Sequence, residues 1–256
     1  MESKKAQESV RAVDRALEIL LAFRPGDEEL TVAELLGRVD LSRPTLYRLL
    51  NTLEHNGFLV SAGEPQRFRL GSSIAHLAHV WMSSHSIANV AQPMLRRLWE
   101  TTSETVALFV PEGMYRVCIA EIASPQPLSF RRGVGYREKL AVGASGRSIL
   151  SQMQLSADEL NRYMTSPTQD QARFAADLES IRARGFATSH HELIEGAVAV
   201  AAPFFNGADQ VAGSLCIFGP SVRVTEERVM KFGDLLVQEA DNLSRALGQH
   251  AGRIRS

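Results

Sequence analysis

The apolar positions between Thr31 and Leu70 fall into two helical stripes followed by two short alternating runs. Val32, Leu35, Leu36 and Val39 recur at helical spacing, and Thr31 with Glu34 has the form of a capping box. Asp40-Leu41 reads as the turn, with Leu41 pointing inward. Ser42 is the next N-cap, and Pro44 sits in the first turn, where its missing N–H is harmless. Leu46, Leu49, Leu50 and Leu53 form the inward stripe of this second helix, which Gly57 ends. Phe58-Leu59-Val60 and Arg67-Phe68-Arg69-Leu70 then alternate like strands around a turn-rich segment, 61–66. Phe68 and Leu70 are expected to face the helices, and Arg67 and Arg69 the solvent.

That order predicts a winged helix-turn-helix. The outward face of the second helix carries Ser42, Arg43, Thr45, Tyr47, Arg48 and Thr52. A recognition helix contacts base edges mainly through its first residues, so Arg43 is placed to reach a guanine in two-pronged fashion. Tyr47 and Arg48 are placed to hold phosphates, which fixes register without reading sequence. Arg67 and Arg69 would lie along the DNA backbone, and Thr31 completes the expected contact set. The plainer alternative is a small helical hairpin with a solvated face and an arginine-protected strand edge.

On the N-terminal side, Val13, Ala16, Leu17, Ile19, Leu20 and Phe23 predict an amphipathic helix stopped by Pro25-Gly26. On the other, 72–84 predicts a helix with Ile74, Leu77, Ala78 and Trp81 on one side, a stripe that could pair with a second subunit. Pro93 is expected in the first turn of a helix over 91–101. Further on, the period becomes that of strands, at 106–110, 116–120, 128–131, 198–205 and 213–218. Helical patterns run near 145–153, 172–184 and 225–247. The expected fold is α+β. A winged helix-turn-helix occupies 1–71, a linker helix 72–90, and an antiparallel sheet flanked by helices 91–256. The last is large enough to hold a small-molecule pocket.

Charge changes how the N-terminal segment must work. Residues 1–70 hold 10 Lys/Arg and 11 Asp/Glu, the remainder 18 of each, and the whole chain carries −1. Binding to DNA therefore has to come from a local patch of Arg38, Arg43, Arg48, Arg67 and Arg69, and from dimeric, sequence-specific contact. The apolar fraction is 45%, and no run of eighteen apolar residues exists to span a membrane. Met1 to Glu8 is polar and lacks a signal-peptide core. Cys118 and Cys216 lie far apart without metal-type spacing, which suits reduced thiols in the cytoplasm.

No metal or cofactor is expected. His76, His79 and His85 do not share one helical face, and His190-His191-Glu192 lacks further ligands. Gly143-Ala144-Ser145-Gly146-Arg147 brushes against a nucleophile elbow, but Arg147 stands where the last glycine belongs. A hydrolase built on Ser145 and a winged-helix module that binds protein remain as the alternative functions.

Taken together, the chain resembles the IclR-type family of bacterial transcription regulators over nearly its whole length. The N-terminal likeness rests on Ser9-Val10, Ala16–Leu20, Leu41–Leu50, Thr52–Glu54 and Phe68–Gly71. The C-terminal likeness rests on Ser103–Val106, Gly133–Gly135, Ala144–Arg147, Ile181–Ala187, Glu192, Glu195-Gly196, Ala201–Pro203 and Gly219-Pro220. The resemblance implies a GAF-like effector domain and homodimers that often pair into tetramers on a roughly palindromic operator. It also implies a pocket lined by Phe130, Ala144, Ser145, Ser189, Ala199, Cys216 and Phe218. Members that bind small carboxylates place an acidic side chain where Ser189 stands, and hydroxyls where Cys216 and Phe218 stand. These departures point to an aromatic or larger acid, with Ser145 and neighbouring N–H groups at its carboxylate, rather than to glyoxylate.

Overall fold

The structure is a computed structural model. It describes residues 10–24, 26–84, 86–164 and 170–249, apart from the side chains of 79, 81–84 and 86. The expectations placed on residues 1–9, Pro25, His79, Trp81 and His85 lie outside these. The chain divides into two compact units between Ser84 and His85.

The first unit runs α1 (Arg11–Leu21), β1 (Leu30–Thr31), α2 (Val32–Leu36), α3 (Arg43–His55), β2 (Leu59–Ala62), β3 (Arg67–Leu70) and α4 (Ser72–Ser84). Its core joins Ile19, Leu30, Val32, Leu35, Leu46, Leu50, Leu53, Leu59 and Phe68. The capping box at Thr31 is present, with the hydroxyl 3.2 Å from the Glu34 N–H and the carboxylate 2.7 Å from the Thr31 N–H. These bonds to Thr31 hold the Glu34 carboxyl below its ordinary pKa.

Four features of this unit depart from the sequence expectation. The two-residue strand β1 pairs with β3, so the wing is three-stranded in the order β1-β3-β2. Phe68 is buried as expected, but Leu70 is 40% exposed, because the chain turns away at Gly71. Arg38 is withdrawn from the basic patch: its guanidinium donates to the Ala22 carbonyl and pairs with Asp27. Finally, α1 has two apolar stripes. Ala16, Ile19, Leu20 and Phe23 face the core, whereas Val13 and Leu17 join Val10 and Leu21 on an outward stripe that is at least half exposed.

The second unit runs α5 (Ser86–Thr102), β4 (Thr105–Glu112), β5 (Tyr115–Ile122), β6 (Arg137–Lys139), α6 (Gly143–Leu150), α7 (Ala157–Tyr163), α8 (Gln171–Arg184), β7 (Ala187–His190), β8 (Ala197–Phe205), β9 (Val211–Pro220) and α9 (Glu226–Ala246). The sheet is antiparallel with the order β6-β5-β4-β9-β8-β7. Helices α5 and α9 contact each other and one face, while α6 and α8 contact each other, with α6 against the sheet. Alternation along the strands sends Ala107, Phe109, Cys216 and Phe218 into a single core cluster with residues of α6, α7 and α8. Both faces are thus covered, which is why the central strands read as unbroken apolar runs.

Helix α5 begins five residues before the expected start, so Pro93 lies in its interior rather than its first turn. Leu128–Arg131 is not a strand: side chains take its carbonyls, Arg223 that of Leu128 and Thr105 that of Phe130. Pro125 and Pro127, just before it, have no N–H for a ladder. No helix among the described residues is long and apolar enough to cross a membrane.

Candidate functional site

Helix α3 starts at the Ser42 N-cap with Pro44 in its first turn, as expected. The Ser42 hydroxyl does not cap a backbone N–H. It pairs instead with the Thr45 hydroxyl at 2.9 Å. Arg43, Tyr47 and Arg48 are exposed on the same helix, and Arg67 and Arg69 are exposed on β3. None of these four arginines forms an ion pair among the described residues, in contrast to Arg38. Free guanidiniums on a helix N-terminal half and an adjacent ribbon are what phosphate and base-edge contacts require. The Thr31 hydroxyl is differently placed. It donates to Glu34 and accepts the Glu34 N–H, so it has no donor left for a phosphate.

Two contacts fix the recognition helix against its surroundings. Glu54 accepts from the Ser61 N–H (3.1 Å) and hydroxyl (2.5 Å), tying α3 to the first wing strand. At the C-terminus of α3, Ser73 donates its hydroxyl to the Asn56 carbonyl (2.8 Å) and its N–H to the Gly57 carbonyl (3.0 Å). The first turn of α4 is therefore bonded directly to the end of the recognition helix.

In the second unit a cleft of about 470 Å³, counting its open mouth, lies between the sheet, the start of α6 and the β7–β8 loop. Ala144, Ser145, Ser189, Ala199, Cys216 and Phe218 all line it, as the sequence suggested. Phe130 does not; it packs against the same core cluster outside the lining. Sequence reasoning missed the charged groups of this cleft. Arg116 on β5 is 2% exposed and lines it. Its Nη1 donates to the carbonyls of Lys139 (2.6 Å) and Val142 (2.7 Å). Its Nε has no hydrogen-bond partner, and no carboxylate pairs with it among the described residues. Burial pulls its pKa below the ordinary guanidinium value. The signal was an arginine at the edge of a strand-like apolar run.

Arg132 also lines the cleft, with its guanidinium 4.7 Å from the centre of the Tyr136 ring. Glu192 is the one acidic side chain of the lining. It accepts the Gly143 N–H at 3.0 Å, and both its oxygens take Arg147 Nη1 at 2.9 Å. The helix N-terminus expected to receive a ligand carboxylate is thus already occupied by the chain's own. Burial pushes the Cys216 and Cys118 thiols up to about 12, so neither is a ready thiolate. Ser145 is buried in the first turns of α6, and no histidine hydrogen-bonds to it among the described residues.

These two sites coincide with two family signatures. The IclR helix-turn-helix domain matches residues 12–63, and the bacterial transcriptional regulator IclR C-terminal domain matches residues 79–245. The chain belongs to the IclR family. It is 29% identical to the HTH-type transcriptional regulator BhcR of Paracoccus denitrificans, across 92% of this chain and 86% of that one. It is 24% identical to the HTH-type transcriptional repressor AllR of Escherichia coli K12, across 96% and 93%. The crystal structure of Thermotoga maritima IclR superposes with a TM-score of 0.74 at 25% identity, covering 93% of this chain and 99% of that one. This IclR-family protein is accordingly a transcription regulator with an N-terminal helix-turn-helix DNA-binding domain and a C-terminal effector domain.

Proposed function

We propose that this regulator binds a roughly dyad-symmetric operator as a homodimer, and that an organic acid in the cleft of the second unit modulates the binding. The observation that carries the ligand reading is Arg116. A buried guanidinium with no carboxylate in contact costs several kcal/mol, of order, and a bound carboxylate supplies the missing partner, since Glu138 acts on Arg116 only through space. Ala144, Ser145, Ser189, Ala199, Cys216 and Phe218 complete the seat, and their small or apolar character favours a carbon skeleton of some size. Reduced thiols suit a cytoplasmic regulator.

On the DNA side, Arg43 reads bases, with Ser42 and Thr45 beside it, while Tyr47, Arg48, Arg67 and Arg69 hold the backbone. DNase footprinting on the chain's own promoter region is expected to give a short symmetric protected site, and protection without sequence preference would sink the assignment. Arg43→Ala is expected to cost about 1–3 kcal/mol on the operator and to relax base preference, whereas Arg67→Ala weakens all sequences alike. Equal behaviour of the two variants in competition gel shifts would contradict this division of roles.

The dimer reading rests on the outward stripe of α1, Val10, Val13, Leu17 and Leu21, and on exposed Leu77 and Val80 of α4. Apolar side chains aligned on two helices of one small unit suit a second copy of the same surface. Leu17→Glu with Leu21→Glu is expected to shift the protein toward monomer in sedimentation velocity. An unchanged sedimentation coefficient would place the interface elsewhere.

A further inference from the structure

The lining of the cleft holds more positive than negative charge. Arg116 and Arg132 both line it, and neither pairs with a carboxylate among the described residues. Glu192 is the one acid in the lining, and Arg147 engages both of its oxygens from outside the cleft. Glu138 and Glu121 are not in the lining: Glu138 accepts the Tyr136 hydroxyl at 3.2 Å and acts on Arg116 only through space, and Glu121 is taken up by backbone N–H groups. The two guanidiniums also differ in depth. Arg116 is anchored on β5 and 2% exposed, while Arg132 is half-buried on the segment after β5.

The position of Arg132 is built rather than incidental. Its own N–H and that of Gly133 donate to a single Glu121 carboxylate oxygen, at 2.9 and 3.1 Å. Its guanidinium lies against the Tyr136 ring, which restricts its rotamers before any ligand arrives. Phe109, Tyr136, Leu193, Ile194 and Phe218 supply apolar wall to the same cleft.

From this arrangement we infer that the cleft is built for a dianionic ligand, an acid with an anionic group at each end of an apolar or aromatic skeleton. Arg116 takes the inner group and Arg132 the outer one. This rests on the acid reading above and adds the second charge. A monoanion at Arg116 leaves Arg132 uncompensated; a dianion satisfies both and places its carbon frame against the aromatic wall. Arg132 is then a specificity-determining residue, because it separates dianions from monoanions of the same shape.

Calorimetric titration of the full chain with matched probes tests this: phthalate against benzoate, and adipate against hexanoate, with benzamide and hexanamide as neutral controls. At least one dianion is expected to bind about tenfold or more tightly than its monoanion. Arg132→Gln is expected to remove that preference by lowering dianion affinity about tenfold or more beyond any loss for the monoanion, a selective split that a structural role for Arg132 would not give. Equal binding of dianion and monoanion by the unaltered protein overturns the inference and leaves the acid reading standing, as does an unchanged preference in Arg132→Gln. Amides that bind as well as the acids, or no binding by any probe up to about 10 mM, overturn the acid reading as well.

Discussion

Gly71→Ala is expected to unfold the DNA-binding unit while the ligand-binding unit stays folded. An added Cβ at this position would sit 2.2 Å from the Gly57 carbonyl oxygen, 2.9 Å from its carbon and 3.1 Å from the Leu59 nitrogen. All three are backbone atoms, so no side chain can swing away. Nor can Gly57 retreat: its φ is +71°, its carbonyl accepts the Ser73 N–H, and the Gly71 N–H donates to the Phe58 carbonyl. The end of α3, the start of β2, the end of β3 and the start of α4 all converge there. Overpacking of a yielding core costs about 1–3 kcal/mol, and an unyielding backbone contact sits at or above that range. A unit of this size has only a few kcal/mol, of order, to lose. The two units have separate hydrophobic cores, so calorimetry should lose one transition and retain the other. Operator binding should fall below detection while acid binding persists. Operator affinity within about threefold of the parent would show that the crossing relaxes cheaply.

The features that the sequence disclosed and those it hid divide along the range of the interactions behind them. The Thr31 capping box, the Ser42–Pro44 helix start and the Gly57 stop are local: each is written in residues within one turn of one another. The central strands β4, β5, β8 and β9 announced themselves by apolar runs because both faces of the sheet are covered. By contrast β1 and β6 are two and three residues long and exist only through the partner they pair with, Phe68 and Arg67 in one case, Tyr115 to Val117 in the other. Arg38 looked like a free cation because its partner, Asp27, stands eleven residues earlier, on the far side of β1 and α2 in the chain. The outward stripe of α1 merged with the inward one because both are apolar, and a periodic pattern cannot say which face the core takes. In the cleft, the small and apolar lining was legible through family likeness. The charges were not, because Arg116 and Glu192 acquire their meaning from the start of α6, Val142 and Gly143, which stand 26 and 49 residues away.

Arg116→Met is expected to abolish the response to acids with little change in stability when no acid is present. The reason lies in the balance of terms around this side chain. Removing the guanidinium deprives the Val142 carbonyl of its donor, whereas the Lys139 carbonyl keeps the Val142 N–H at 3.3 Å. One orphaned carbonyl costs about 1–3 kcal/mol. Against this stands the desolvation of a cation without a counter-ion, also several kcal/mol, of order, which the methionine removes while filling similar space. The two nearly offset, so the ligand-free variant should unfold within about 2 kcal/mol of the parent. Acid binding has no such offset: it loses a buried charge-assisted contact worth about 2–5 kcal/mol, or roughly thirty- to several-thousand-fold in Kd. Operator affinity without acid should be unchanged, since Arg43, Arg48, Arg67 and Arg69 lie in the other unit. A variant that unfolds readily without ligand, yet still binds acid once stabilised by osmolyte, would make Arg116 a structural clasp for the Lys139–Val142 turn. The buried charge would then have been retained for the fold and not for the ligand.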